Sequence, residues 1–254
     1  MTCLRKTHTV SKNYFDDMKR VENEILSMIA RIKPRTIVDI GVGESTKSFV
    51  SSSTAHFISI DVNCNKIAGF VRDSSLDIAR LDNLEFVCAD ALNPPLRSNS
   101  ADLVILHFVL HEIDPRFHLD ILAGVKRVSR YVLIVEPTPN GSELYRRLWY
   151  VWREAMRSIG RFEEYKEPEY WLQLLNRLNM HIVEEKTISW RVPVPYEVLE
   201  AMVTTWIEEW RREGVPERYV HQLEEFLEEA KTKQFRWSDI FAVLALSNRN
   251  VSVS

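Results

Sequence analysis

Five short apolar runs separated by helix-length stretches limit the folds open to this chain more than any other feature. TIVDI begins at residue 36, HFISID at 56, LEFVCAD at 84, ADLVILHFVL at 101 and YVLIVEP at 131. Runs of that length alternating with helical stretches predict a parallel sheet covered by helices on both faces. Upstream, Tyr14, Phe15, Met18, Val21, Ile25, Met28 and Ile29 mark one apolar face, so 13–31 is expected to be an amphipathic helix closed by Lys33-Pro34. Downstream, helices are expected over 142–159, 168–178, 196–212 and 216–231, strands at MHIVEEKTISW from 180 and DIFAVLAL from 239, and a frayed tail in SNRNVSVS. With 254 residues, 45% of them hydrophobic, one α/β domain has ample material for a core.

Charge and cysteine usage narrow the classes. A net charge of −3 provides no global basic surplus for nucleic acid or an anionic membrane. Cys3, Cys64 and Cys88 are odd in number, scattered and without CxxC spacing, so neither a disulfide framework nor a zinc site is expected, and a reducing interior suits them. The polar N-terminus does not read as a signal peptide, and no apolar run approaches the roughly 20 residues of a membrane span. A soluble cytoplasmic protein is the expectation.

The first run ends in a turn, TIVDIGVGES, that combines Asp39 with Gly41 and Gly43. Glycines after a strand let backbone N–H groups approach a ligand, but many nucleotide folds use them. A dinucleotide fingerprint would place a third glycine at position 46, which is Thr46. Asp39 would also set a carboxylate near two phosphates. A ligand bearing an ammonium group and no phosphate fits better. The run Asp39-Ile-Gly41-Val-Gly43-Glu-Ser45, with Asp61 ending the second strand and Asp90-Ala91 following the third, resembles class I S-adenosylmethionine-dependent methyltransferases. Ser45 stands where that family often has a third glycine. The resemblance covers roughly 36–136 and implies a Rossmann-like seven-stranded sheet of order 3-2-1-4-5-7-6, last strand antiparallel, with S-adenosylmethionine as cofactor.

Asp61 lies twenty residues after Gly41, where an acidic strand end can accept hydrogen bonds from both ribose hydroxyls, although dinucleotide enzymes share that device. The resemblance further implies that Asp90 meets the adenine amino group, that Ala91 offers a backbone N–H to the ring, that Val62 packs on its face and that carbonyls around His107 receive the methionine ammonium. Singly each aspartate also reads as a cap or turn residue; the set at three successive strand ends carries the inference.

Ligands of open α/β sheets bind beyond the carboxyl ends of the strands. Two long, aromatic-rich stretches leave those ends, 137–168 and 191–237, and are expected to form a helical cap over an acceptor pocket. His111 in FVLHEID, just past strand four, is the candidate general base; Glu112, Glu136 and Asp114 are weaker candidates, Asp114 as a cap ahead of Pro115. HEIDP lacks the second histidine of H-E-x-x-H, so no metal is expected, and NPPL at 93–96 follows strand three, not strand four as the NPPY-type motif requires. Arg146, Arg153, Arg157 and Arg161 share one helix face, which suits RNA or pairing with acidic helices. A small-molecule methyltransferase is therefore expected. An RNA methyltransferase, an NAD(P)-dependent oxidoreductase and a non-enzymatic cofactor-binding protein are the alternatives.

Overall fold

The computed structural model describes the backbone of residues 2–72 and 82–247, with side chains from residue 11 onward; the tail beyond Ser247 lies outside the described residues. Seven strands form one sheet in the order β3-β2-β1-β4-β5-β7-β6. They are β1 (Thr36–Ile40), β2 (His56–Asp61), β3 (Leu84–Cys88), β4 (Ala101–His107), β5 (Ser129–Pro137), β6 (Met180–Ile188) and β7 (Ile240–Ser247). β1 to β5 pair in parallel, whereas β7 runs antiparallel to both β5 and β6. The expected sheet order and the reversed last strand are both present.

Period-two alternation sorts the central strands onto two cores. Val38, Ile40, Val104, Leu106, Val132, Ile134, Phe241 and Val243 face one side, covered by α4 (His118–Val128) through Ile121, Leu122 and Val125 and by α6 (Pro168–Arg177) through Trp171, Leu174 and Leu175. Ile37, Leu103, Ile105, Leu133, Val135, Ala242 and Leu244 face the other, under α1 (Thr2–Ile32) with Val21, Ile25, Met28 and Ile29 and α2 (Glu44–Ser51) with Phe49 and Val50. Burial on both faces explains why these strands read as continuous apolar runs. β6, at the edge, instead exposes Glu185 and half-buries Glu184 and Lys186, charges that discourage pairing with another chain.

A third cluster joins α5 (Glu143–Ser158), α7 (Tyr196–Glu213) and α8 (Glu217–Ala230) around Trp210, Phe226 and Phe235. The N-terminal helix enters it as well. Tyr14 stacks on Trp190 with centroids 6.1 Å apart and accepts from Trp237 Nε1 at 3.1 Å, while buried Asp17 accepts from the N–H groups of Arg191 and Val192 at 2.7 and 3.0 Å. Among the described residues, no helix is long and apolar enough to cross a membrane.

One expectation is overturned. Cys64, opening α3 (Cys64–Arg72), forms a disulfide with Cys88 at the end of β3, their Cα atoms 5.3 Å apart. Cys88 pairs in register with Asp61, and Cys64 follows Asp61 by three residues. Neighbouring parallel strands thus join two cysteines that the chain separates by 24 positions, which linear spacing does not reveal. The bond also removes the ground on which a reducing compartment was read.

Candidate active site

The turn from β1 into α2 is held from within. Gly41, at φ +92°, donates its N–H to the Ile60 carbonyl at 2.8 Å, and a Cβ there would lie 3.2 Å from Val109 Cγ2, so the position requires glycine on both counts. Val42 N–H donates to Asp61 Oδ2 at 3.0 Å, and Gly43 N–H to Thr46 Oγ1 at 3.1 Å. Thr46 in turn donates to Asp39 Oδ2 at 2.6 Å, with Ser59 Oγ at 3.4 Å from the same oxygen. Asp39 is 1% exposed, and burial raises its pKa to about 7 against the opposing hydrogen bonds. It braces the turn from beneath through Thr46 and does not open toward a ligand, unlike the direct contact expected of it. Thr46 is the pin of the turn. Gly43 faces open space, where a Cβ would meet nothing within 4 Å.

The remaining cofactor candidates sit around this turn. Asp61 takes Val42 N–H on Oδ2 and Asn63 N–H on Oδ1 at 2.8 Å, with Lys66 Nζ 3.3 Å from Oδ2. Two carboxylate oxygens offer about four acceptor positions, so capacity for a hydroxyl remains. Val62, beside it, is 72% exposed, an uncommon state for a valine that suits an apolar ligand face. Ala89 N–H donates to the Asp61 carbonyl at 3.1 Å, bringing the loop of Asp90 and Ala91 to the same rim. Asp90 is exposed, its Oδ1 accepting from Leu92 N–H at 2.9 Å. His107, at the tip of β4, lies 2.9 Å through Nδ1 from Ser45 Oγ, and burial holds its pKa down near 4, leaving it neutral. The serine in the usual glycine position therefore ties the turn to β4. These bonds join Val42, Asp61 and Ala89, and separately Ser45 and His107, at the carboxyl ends of the parallel strands, with Asp39 buried beneath the turn.

Beyond His107 the chain enters a cavity of about 470 Å³ between the end of β5 and start of β7 on one side and the third cluster on the other. Phe108 stands at its mouth with φ +51°, a conformation rare for an aromatic residue, and over a third exposed. The short 3-10 turn Leu110–Glu112 follows and presents His111. Glu136, 1% exposed at the end of β5, accepts from the N–H groups of Val109 and Leu110 at 3.0 and 2.7 Å through Oε1, while Oε2 lies 2.6 Å from His111 Nδ1. The other ring nitrogen lies 3.7 Å from Glu163 Oε1. Burial opposes charge on His111, but the Glu136 carboxylate, its hydrogen bond and Glu163 override it and push the pKa up to about 9.

Glu136 and Glu163 thus favour the imidazolium form of His111, which weighs against the general-base role expected of it. The group poised to accept is Glu163, 6% exposed, whose pKa burial raises to about 7 against the pull of His111. Sequence reasoning missed it because GRFEEYKEP reads as a polar loop; the backbone bond from Glu164 N–H to the His111 carbonyl, 2.8 Å, and the Tyr165 ring 5.2 Å from that of His111 bring the loop onto the turn. The ligating atoms of His111, Glu112 and Glu163 lie within 4.8 Å of one another, a spacing that also fits a divalent cation. Asp114 caps the turn Pro115–Phe117, accepting from Arg116 N–H at 2.9 Å, as its place before Pro115 suggested.

The raised pKa of His111 has a stability consequence. Its value is about 6.5 unfolded and about 9 folded, so its contribution is complete below about 6.5 and is lost as pH rises through 9. The buried Glu163 and Asp39, raised to about 7, have exacted most of their penalty by then. Unfolding free energy is expected to fall by on the order of 2 kcal/mol between pH 7 and 9, and denaturant titration should find most of that slope absent in His111→Gln.

Arg146, Arg153 and Arg157 lie on α5, whereas Arg161, expected on the same helix face, falls beyond its end at Ser158; all four are engaged internally. Arg153 and Arg157 approach Glu154 at 3.2 and 3.1 Å, Arg157 also approaches Glu164, Arg161 pairs with Glu213 at 2.8 Å, and Arg146 donates to the Gly141 carbonyl. The contact with the acidic helix α8 is made instead by Arg147, to Glu225 and Glu229.

The family model described as a methyltransferase domain matches residues 38–131, from the glycine turn into β5. A demethylmenaquinone methyltransferase of Clavibacter sepedonicus is 28% identical over 130 residues, covering 50% of this chain and 51% of that protein, so the chain spans about half the length of this relative. Among solved structures, the YcgJ protein of Bacillus subtilis superposes with a TM-score of 0.59 at 14% identity, over 89% of this chain and 99% of that one. A SAM-dependent methyltransferase of Archaeoglobus fulgidus gives 0.54 at 16% identity, over 90% and 93%. Identities this low speak for shared architecture. The matched segment carries the glycine turn, Asp61, Asp90 and His107, so residues 38–131 resemble a methyltransferase domain, and the sheet order is that of the S-adenosylmethionine-dependent methyltransferase fold.

Proposed function

We propose that the chain transfers the methyl group of S-adenosylmethionine to a small-molecule acceptor held in the aromatic cavity under a helical cap formed by 137–168 and 191–237. The carrying observation is continuity: His107 belongs to the cofactor rim, and Phe108, the next residue, already lines the cavity that holds His111 and Glu163. When bound, the cofactor supplies a methyl group already activated by its sulfonium. Asp61 and Asp90 would hold the adenosine, the exposed Val62 would cover the ring, and the open side of Gly43 leaves room for the amino-acid tail. The cavity side chains align the acceptor and exclude water, and Glu163 receives a proton from an acceptor that does not lose it unaided. His111, fixed by Glu136, keeps Glu163 ionised and oriented.

A phosphorylated dinucleotide fits this turn poorly. The N–H groups of Gly41, Val42 and Gly43 already donate to Ile60, Asp61 and Thr46, so these three are not offered to a pyrophosphate. RNA binding through the stripe is disfavoured by the pairing of its arginines. Calorimetry with S-adenosylhomocysteine, NAD and NADP separates the readings, and release of labelled methyl onto components of a cell extract tests turnover. Asp61→Ala and Asp90→Ala are each expected to weaken S-adenosylhomocysteine binding at least tenfold, about 1.4 kcal/mol. Unchanged affinity in both variants would remove the site assignment.

A further inference from the structure

The wall of the cavity has a chemical bias beyond its size. Among the described residues lining it, no lysine or arginine appears, while Glu112 and Glu163 both do. His111 is the single basic group there, and Glu136 stands against its far nitrogen. An anionic acceptor would find no free positive partner and would face two carboxylates. A cation would find the reverse.

Ring geometry points the same way. Trp152 and Trp206 meet at 84° with centroids 4.8 Å apart, and Trp206 and Trp237 meet at 66° with centroids 6.3 Å apart. All three line the cavity, together with Trp149, Trp190, Tyr145 and Tyr165. The faces of aromatic rings attract cations, so a wall of tryptophans and tyrosines beside carboxylates suits one. The protein already uses this attraction nearby, with the Arg153 guanidinium 5.2 Å from the centre of the Trp149 ring.

Resting on the methyl-transfer reading of the same site, we infer that the acceptor is an aliphatic amine, bound as its ammonium ion between tryptophan faces and the Glu163 carboxylate and methylated on nitrogen. The ammonium proton passes to the carboxylate of Glu163, freeing the nitrogen lone pair. That pair forms the N–CH₃ bond as the C–S bond breaks and its electrons remain on sulfur, giving S-adenosylhomocysteine and an N-methylated ammonium product. Glu163 then returns its proton to solvent. No oxidant or further reactant is needed.

The test compares two probes of the same shape, choline and 3,3-dimethylbutan-1-ol, on protein saturated with S-adenosylhomocysteine, read by tryptophan fluorescence and by calorimetry. Choline is expected to bind at least tenfold more tightly than the neutral alcohol. Glu163→Gln should shrink that ratio below about threefold. Equal or tighter binding of the alcohol overturns the inference, as does tighter binding of phenol than of choline. Dependence of choline binding on added Mn²⁺ or Mg²⁺ also overturns it, because it reassigns the carboxylates to a metal. Absence of S-adenosylhomocysteine binding in the first step would instead remove the methyl-transfer reading, so the two failures are distinguishable.

Discussion

Glu163→Gln is expected to lower turnover at pH 7 by a factor of 10² to 10⁴, the usual worth of a positioned proton acceptor, while S-adenosylhomocysteine affinity stays within about twofold. The amide keeps the shape of the side chain and loses its ability to take a proton. Wild-type turnover should rise with pH through about 7 as Glu163 ionises, and the variant should lack that limb. His111→Gln provides the complementary reading: without the imidazolium 3.7 Å away, Glu163 ionises less readily and the limb moves to higher pH. A Glu163→Gln enzyme that keeps both its rate and its limb would return the proton to another group.

Breaking the cross-link between α3 and β3 should have the largest effect on stability. Closing a separation of 24 residues restricts the unfolded chain by roughly 3 kcal/mol on the loop-entropy view, so Cys64→Ser, Cys88→Ser and the reduced wild type should all unfold at lower denaturant concentration by about that free energy. The bonded pair sits directly beside Asp61 and Val62, so the same three samples should be compared for cofactor affinity. Thiol alkylation without prior reduction checks the premise: two protected cysteines are expected, and modification of both would contradict the pairing.

Strand positions were legible because the physics that buries them is local. β1, β4, β5 and β7 are apolar on both faces, so each stands out as a run whose limits the structure moves by no more than a few residues. The helices of the third cluster were equally visible, since Trp206 and Trp210 or Leu223 and Phe226 repeat at helical spacing. What stayed hidden depends on distant parts of the chain meeting. Asp17 reads as one more polar residue on α1 until Arg191 and Val192 place their N–H groups on it. Asp39 reads as a ligand group until Thr46 closes over it, and His111 reads as a base until two carboxylates from other elements bracket its ring. In each case the residue type was visible and its protonation or orientation was set by a partner many positions away.

The N–H groups of Gly41, Val42 and Gly43 are spent within the protein, and beside them stand acceptors, the carboxylates of Asp61 and Asp90 and the carbonyls around His107, with Lys66 close to Asp61. On the proposed assignment the carboxylates suit the hydroxyl, amino and ammonium groups of a ligand. A nucleoside triphosphate shares the adenosine half of that ligand but brings a polyanionic tail toward Asp61 and Asp90, so competition by an excess of ATP is expected to be weak.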